Sequence, residues 1–91
     1  MIEKIGEAAM YELLAEECTE LAHAALKMAR IIRDENPTSK TEDEALSDLE
    51  EEATDVDVCL KELALWPVEY VRTLKMARFA DRWERRTNGK R

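Results

Sequence analysis

Gly6, Pro37, Pro67 and Gly89 are the only glycines and prolines in the chain, and the long stretches between them contain nothing that stops a helix. Those stretches are rich in Ala, Leu, Glu, Lys and Arg, so an all-α fold is expected. In the first, Leu14, Cys18, Leu21, Ala25, Met28 and Ile32 recur at three- and four-residue steps, the pattern of one buried helical stripe. This predicts a helix over about residues 3–34, or from Ala8 if Gly6 interrupts it, ending at Asn36-Pro37 because proline disfavours helix in the residue before it. Residues 36–40 then form a loop. Thr41 followed by Glu44 matches a capping box and starts a second helix, about 42–65, with Ala45, Leu49, Val56, Cys59, Leu60 and Leu63 inward. Trp66-Pro67 stops it, and a third helix covers about 68–86, closed by Asn88-Gly89. The short first loop makes helices one and two an antiparallel hairpin.

A chain of 91 residues is a single helical domain, 1–91, with a thin core. Association into a four-helix-type bundle of at least two copies is therefore expected, as a homodimer or homotetramer. No apolar run approaches the roughly 20 residues that span a bilayer, and Met1-Ile2-Glu3-Lys4 opens no signal-peptide pattern. A cytoplasmic chain without membrane contact is the expectation. In that setting Cys18 and Cys59, far apart in sequence, read as reduced core residues.

Charge divides the chain in two. Residues 1–67 hold six Lys/Arg against eighteen Asp/Glu, a net −12, and residues 68–91 hold eight against three, a net +5. Within the acidic part, Glu17-x-x-Glu20 and Glu52-x-x-Asp55 interrupt the apolar faces of the two hairpin helices. Spacing by three puts both carboxylates of a pair on one helical face, close enough to grip one hard cation or bridge two. On a helical wheel Glu52 and Asp55 are the more deeply set pair, and Glu17 and Glu20 flank their stripe. Four crowded, partly desolvated carboxylates would repel one another and take up protons unless a cation neutralised them. A solvated acidic face is the ordinary alternative for either pair alone. Glu16, Glu50 and Glu51 point further outward.

The stretch Leu14-Ala15-Glu16-Glu17-Cys18-Thr19-Glu20-Leu21-Ala22-His23-Ala24-Ala25-Leu26-Lys27, followed by Glu51-Glu52-Ala53-Thr54-Asp55-Val56, resembles the MazG-like all-α nucleotide pyrophosphohydrolases. Their signature is Glu-Glu-x-x-Glu and then, after a spacer, Glu-x-x-Asp. The resemblance covers about half the chain, with a spacer a little longer than in the commonest members. It implies hydrolysis of a nucleoside triphosphate, with non-canonical and deoxy nucleotides among the candidates, to the monophosphate and pyrophosphate. It also implies Mg²⁺, with Mn²⁺ a substitute, held by Glu17, Glu20, Glu52 and Asp55.

On the third helix Lys75, Arg78, Arg82 and Arg86 form one cationic stripe. Lys75, Arg78 and Arg82 are candidates for contacts to substrate phosphate, and pairing with the acidic helices is the alternative. Nucleic acid is not an expected partner, because the chain is acidic overall and the tail lacks aromatic-interleaved basic patterning. Two readings from other classes stand beside the enzyme: a non-catalytic acidic helical interaction module, and a di-iron carboxylate bundle suggested by Glu20-x-x-His23. His23 itself is expected in solvent, and Trp66 and Trp83 at a core or interface.

Overall fold

The computed structural model describes residues 1–35 and 40–89, and every regular element among them is an α-helix. These are α1 (Ile2–Ile5), α2 (Glu7–Arg33), α3 (Glu42–Glu62) and α4 (Glu69–Gly89). The expected loop 36–40 lies, except for Lys40, outside the described residues, as do Lys90 and Arg91. Gly6 takes φ 90° and ψ 159°, which separates the single turn of α1 from α2. The first helix thus begins at Glu7, near the later of the two expected starts.

Each hairpin helix ends by capping its own carbonyls. Asp34 adopts the left-handed conformation (φ 55°), its N–H donating to Ile31 O at 3.2 Å while Glu35 N–H donates to Arg30 O at 3.1 Å. At the start of α3 the capping box forms as expected: Glu44 N–H donates to Thr41 Oγ1 at 3.1 Å and Thr41 N–H to Glu44 Oε1 at 2.9 Å. The end of α3 differs from the expected residue 65. Ala64 turns left-handed (φ 55°), and Leu65 N–H donates to Leu60 O at 2.9 Å, closing the helix at Glu62. Pro67 restricts Trp66 to extended backbone, so the chain caps α3 before reaching it.

Alanine in that conformation costs about 1–2 kcal/mol that glycine would not pay. Ala64→Gly should therefore raise Tm by several degrees in a thermal melt. An unchanged or lower Tm would show that the left-handed cap is absent in solution.

α2 and α3 pack against each other, and α1 lies on α2. Met10, Ala45 and Cys59 are fully buried. Around them Leu13, Leu14, Leu21, Ala24, Met28 and Ile31 of α2 meet Leu49, Val56, Leu60 and Leu63 of α3, all half-buried. The expected α2 stripe is partly wrong, since Cys18, Ala25 and Ile32 are exposed and Cys18 is no core residue. Apolar residues cover more than half the circumference of α2, so apolarity alone did not select the arc that faces α3. Ile2 N–H donates to Glu62 Oε1 at 2.9 Å, tying the start of the chain to the end of α3.

α4 stands away from this hairpin. Among its described side chains only Val71 is half-buried, and Tyr70, Leu74, Met76, Phe79 and Trp83 are all more than half exposed. The radius of gyration, 17.0 Å, exceeds the roughly 12 Å of a compact chain of this length because of that projecting arm. No helix among the described residues is long and apolar enough to cross a membrane.

Candidate metal centre

Glu17 sits in the middle of the α2 arc that faces α3, and Glu52 in the middle of the opposing α3 arc. Both are half-buried, whereas Glu20 and Asp55 are exposed on the flanks. The expectation that Glu52 and Asp55 form the deeper pair is therefore corrected. Each pair supplies one inner and one outer carboxylate, because the α2 contact arc is rotated from the Leu14/Leu21/Ile32 stripe and centres on Glu17.

One carboxylate oxygen each from Glu17, Glu20 and Glu52 lies within 4.8 Å of the others. Two oxygens bound to one Mg²⁺ at about 2.1 Å are at most about 4.2 Å apart, so small side-chain rotations would close these three around an ion. Asp55 stands outside the triad but near enough to act electrostatically on both Glu17 and Glu52. It lines a groove of about 170 Å³ with Glu17, Leu13 and Val58, floored by Cys59.

The inner oxygens carry the strongest signal. Glu17 Oε2 and Glu52 Oε2 are buried and accept no hydrogen bond among the described residues. Orphaned carboxylate oxygens cost free energy that a donor or a cation would recover. Burial pushes the Glu17 carboxyl above its ordinary range, and Glu20 and Asp55 push it further. Glu52 is raised by burial first and then by Glu20. Burial likewise raises the Cys59 thiol, with the Glu17 and Asp55 charges adding to it, so this sulfur stays protonated beneath the carboxylates. The donor set is hard, anionic and oxygen-only, which suits Mg²⁺ or Mn²⁺. His23 is not part of the cluster.

A larger cleft of about 400 Å³ opens beside the triad. Glu20 and Glu52 line it together with His23, Lys27, Lys40, Asp48 and Glu51, over Ala24 and Ala45. Lys40 Nζ is paired with Asp48 Oδ2, which raises the Lys40 pKa. Sequence reasoning missed Lys27 and Lys40 as site residues. Lys27 was visible in principle, since seven residues place it two turns beyond Glu20 on the same face; Lys40 reaches the cleft only through tertiary structure. Of the expected phosphate contacts, Lys75, Arg78 and Arg82 lie on α4, and none of them lines the cleft or the groove. Glu16 and Glu50 are exposed, as expected.

No family model, no curated protein and no solved structure matches this chain.

Proposed function

We propose that this chain is a divalent-cation-dependent hydrolase that splits a nucleoside triphosphate into the monophosphate and pyrophosphate. The cation is Mg²⁺, with Mn²⁺ able to substitute, held by Glu17, Glu20, Glu52 and Asp55. The observation that carries the reading is the pair of buried, partnerless oxygens Glu17 Oε2 and Glu52 Oε2 in a three-carboxylate cluster. The reaction itself rests on the resemblance of the same four residues to the MazG-like pyrophosphohydrolases.

Bound there, Mg²⁺ would neutralise triphosphate charge and promote attack of water at the α-phosphorus. The chain's own groups divide the remaining tasks. Glu17 and Glu52, desolvated and anchored in the helix–helix interface, are the rigid ligands. Glu20 completes the three-carboxylate cluster from its exposed flank, and Asp55, which stands outside that cluster, would orient the attacking water and accept its proton, with Glu16 as a further acceptor. Lys27, which lines the cleft two turns along α2 from Glu20, offers a charge-assisted hydrogen bond to a phosphate oxygen. The role suggested for such an enzyme is house-cleaning of nucleotide pools, in a homodimer or homotetramer.

The test is to incubate the purified chain with canonical and modified nucleoside triphosphates plus Mg²⁺ and to resolve the products. Monophosphate and pyrophosphate in equal amounts are expected, with no diphosphate. Absence of turnover on every nucleotide, in a protein of normal helix content, would rule the enzyme reading out and favour an acidic interaction module.

A further inference from the structure

α4 presents an open seam. Arg72, Met76, Phe79, Trp83 and Arg86 follow one another at alternating steps of four and three residues, the a/d spacing of a coiled-coil helix. Met76, Phe79 and Trp83 are 63%, 52% and 64% exposed, so nothing among the described residues covers the seam. Its only shielding is local: the Arg82 and Arg86 guanidinium carbons lie 5.1 and 5.7 Å from the Phe79 and Trp83 ring centroids. In this register Lys75 and Arg82 occupy the g positions beside the seam, while Thr73, Ala80 and Thr87 hold the e positions.

α3 carries a matching seam along the edge of its contact with α2. Leu46, Leu49, Ala53, Val56 and Leu60 alternate steps of three and four; Leu49, Val56 and Leu60 are half-buried against α2, while Leu46, 44% exposed, and Ala53, one heptad on, are open to solvent. The e positions beside that seam are Asp43, Glu50 and Asp57, all acidic. Asp57 pairs with Lys61 at 2.9 Å, but Asp43 and Glu50 form no ion pair among the described residues. Asp43 and Glu50 are seven residues apart, as are Lys75 and Arg82, so both charged pairs repeat at about 10.5 Å.

Orientation selects the partner. Residues at e meet residues at g across a parallel pair of helices; in an antiparallel pair e meets e and g meets g. Within one chain, residues 63–68 are too short a connection to bring α4 alongside α3 in any but the antiparallel sense. We propose that α4 of one copy lies parallel along α3 of a second copy, with Lys75 and Arg82 against Asp43 and Glu50. The contact is made reciprocally, so the dimer closes with twofold symmetry. The net −12 of residues 1–67 and +5 of residues 68–91 give the exchange its electrostatic drive. This assembly does not rest on the hydrolase reading, because none of its four charged residues, Lys75, Arg82, Asp43 and Glu50, belongs to the carboxylate cluster.

A charge-swap mixing experiment tests it, with sedimentation equilibrium on the full chain as the readout. The native chain is expected to be dimeric. One variant carries Lys75→Glu and Arg82→Glu, the other Asp43→Lys and Glu50→Lys. Each alone sets like charges against like and should dimerise on the order of tenfold more weakly, or worse. Mixed in equal amounts they restore opposite charges at both contacts, so a heterodimer of near-native affinity should form. A monomeric native chain overturns the proposal, as does failure of the mixture to associate better than its components. Native affinity in the Asp43→Lys/Glu50→Lys variant alone would also overturn it, pointing to α4 pairing with α4. If a reversal lowers helix content by circular dichroism, the neutral versions Lys75→Gln/Arg82→Gln and Asp43→Asn/Glu50→Gln replace it. Each of these must weaken the dimer and flatten its salt dependence, and a dimer indifferent to both sinks the idea.

Discussion

Glu52→Gln is expected to lower nucleotide hydrolysis on the order of 10²–10³-fold while leaving the metal-free protein as stable as the native chain or more so. The two halves of this result have one cause. Glu52 Oε2 is buried without a hydrogen-bond donor among the described residues, and the carboxyl is pushed upward by burial and by Glu20. Glutamine keeps the shape, removes the repelling charge and cannot serve as an anionic ligand. The sign of the pH dependence follows. Glu17 and Glu52 bind protons more tightly in the folded chain than in the unfolded one. Between the ordinary carboxylate range and those raised values, the native state holds protons that the unfolded state has released. Their contribution to metal-free stability is thus present at low pH and is lost as pH rises through that window. The Glu52→Gln variant should show a shallower loss in melts run across the same range. A variant that keeps near-native turnover, or that melts well below the native chain without metal, would show that Glu52 is not a cation ligand.

The second large effect is structural. Met10→Ala should cost about 2–5 kcal/mol, measured by urea denaturation, because Met10 is fully buried in a core that has two other buried residues, Ala45 and Cys59, among those described. A chain of this size has roughly 5–14 kcal/mol of stability in total, so the variant would lose a large share of it. Leu26→Ala is the matched control. Leu26 is 55% exposed on the same helix, and its truncation should change stability by no more than about 0.5 kcal/mol. Equal effects from the two would mean that α2 packs on α3 through a different arc from the one described.

Local chemistry was legible in the sequence wherever one or two residues decide the outcome. Thr41 and Glu44 announce the start of α3 and form both capping bonds, and Gly6 interrupts the first helix at the residue where only glycine accepts the required φ. The end of α3 was not legible, because it depends on Ala64 adopting a conformation that alanine disfavours in isolation. Rotation of α2 was equally hidden. Two overlapping apolar arcs, one centred on Glu17 and one running through Cys18, Ala25 and Ile32, are indistinguishable until α3 chooses between them. That choice matters for the site, since it makes Glu17 an inner carboxylate and leaves Glu20 outside. The four acidic positions could be named from spacing. That Glu17, Glu20 and Glu52 converge while Asp55 stands aside required the packed hairpin, and so did the arrival of Lys40 at the cleft wall.

Calorimetric titration of Mg²⁺ into the metal-free chain tests the central claim most directly. A saturable site is expected in the native protein and none in a Glu17→Gln/Glu52→Gln double variant of equal helix content. Featureless titrations for both proteins, or identical binding by both, would contradict a cation centre built on those two buried carboxylates.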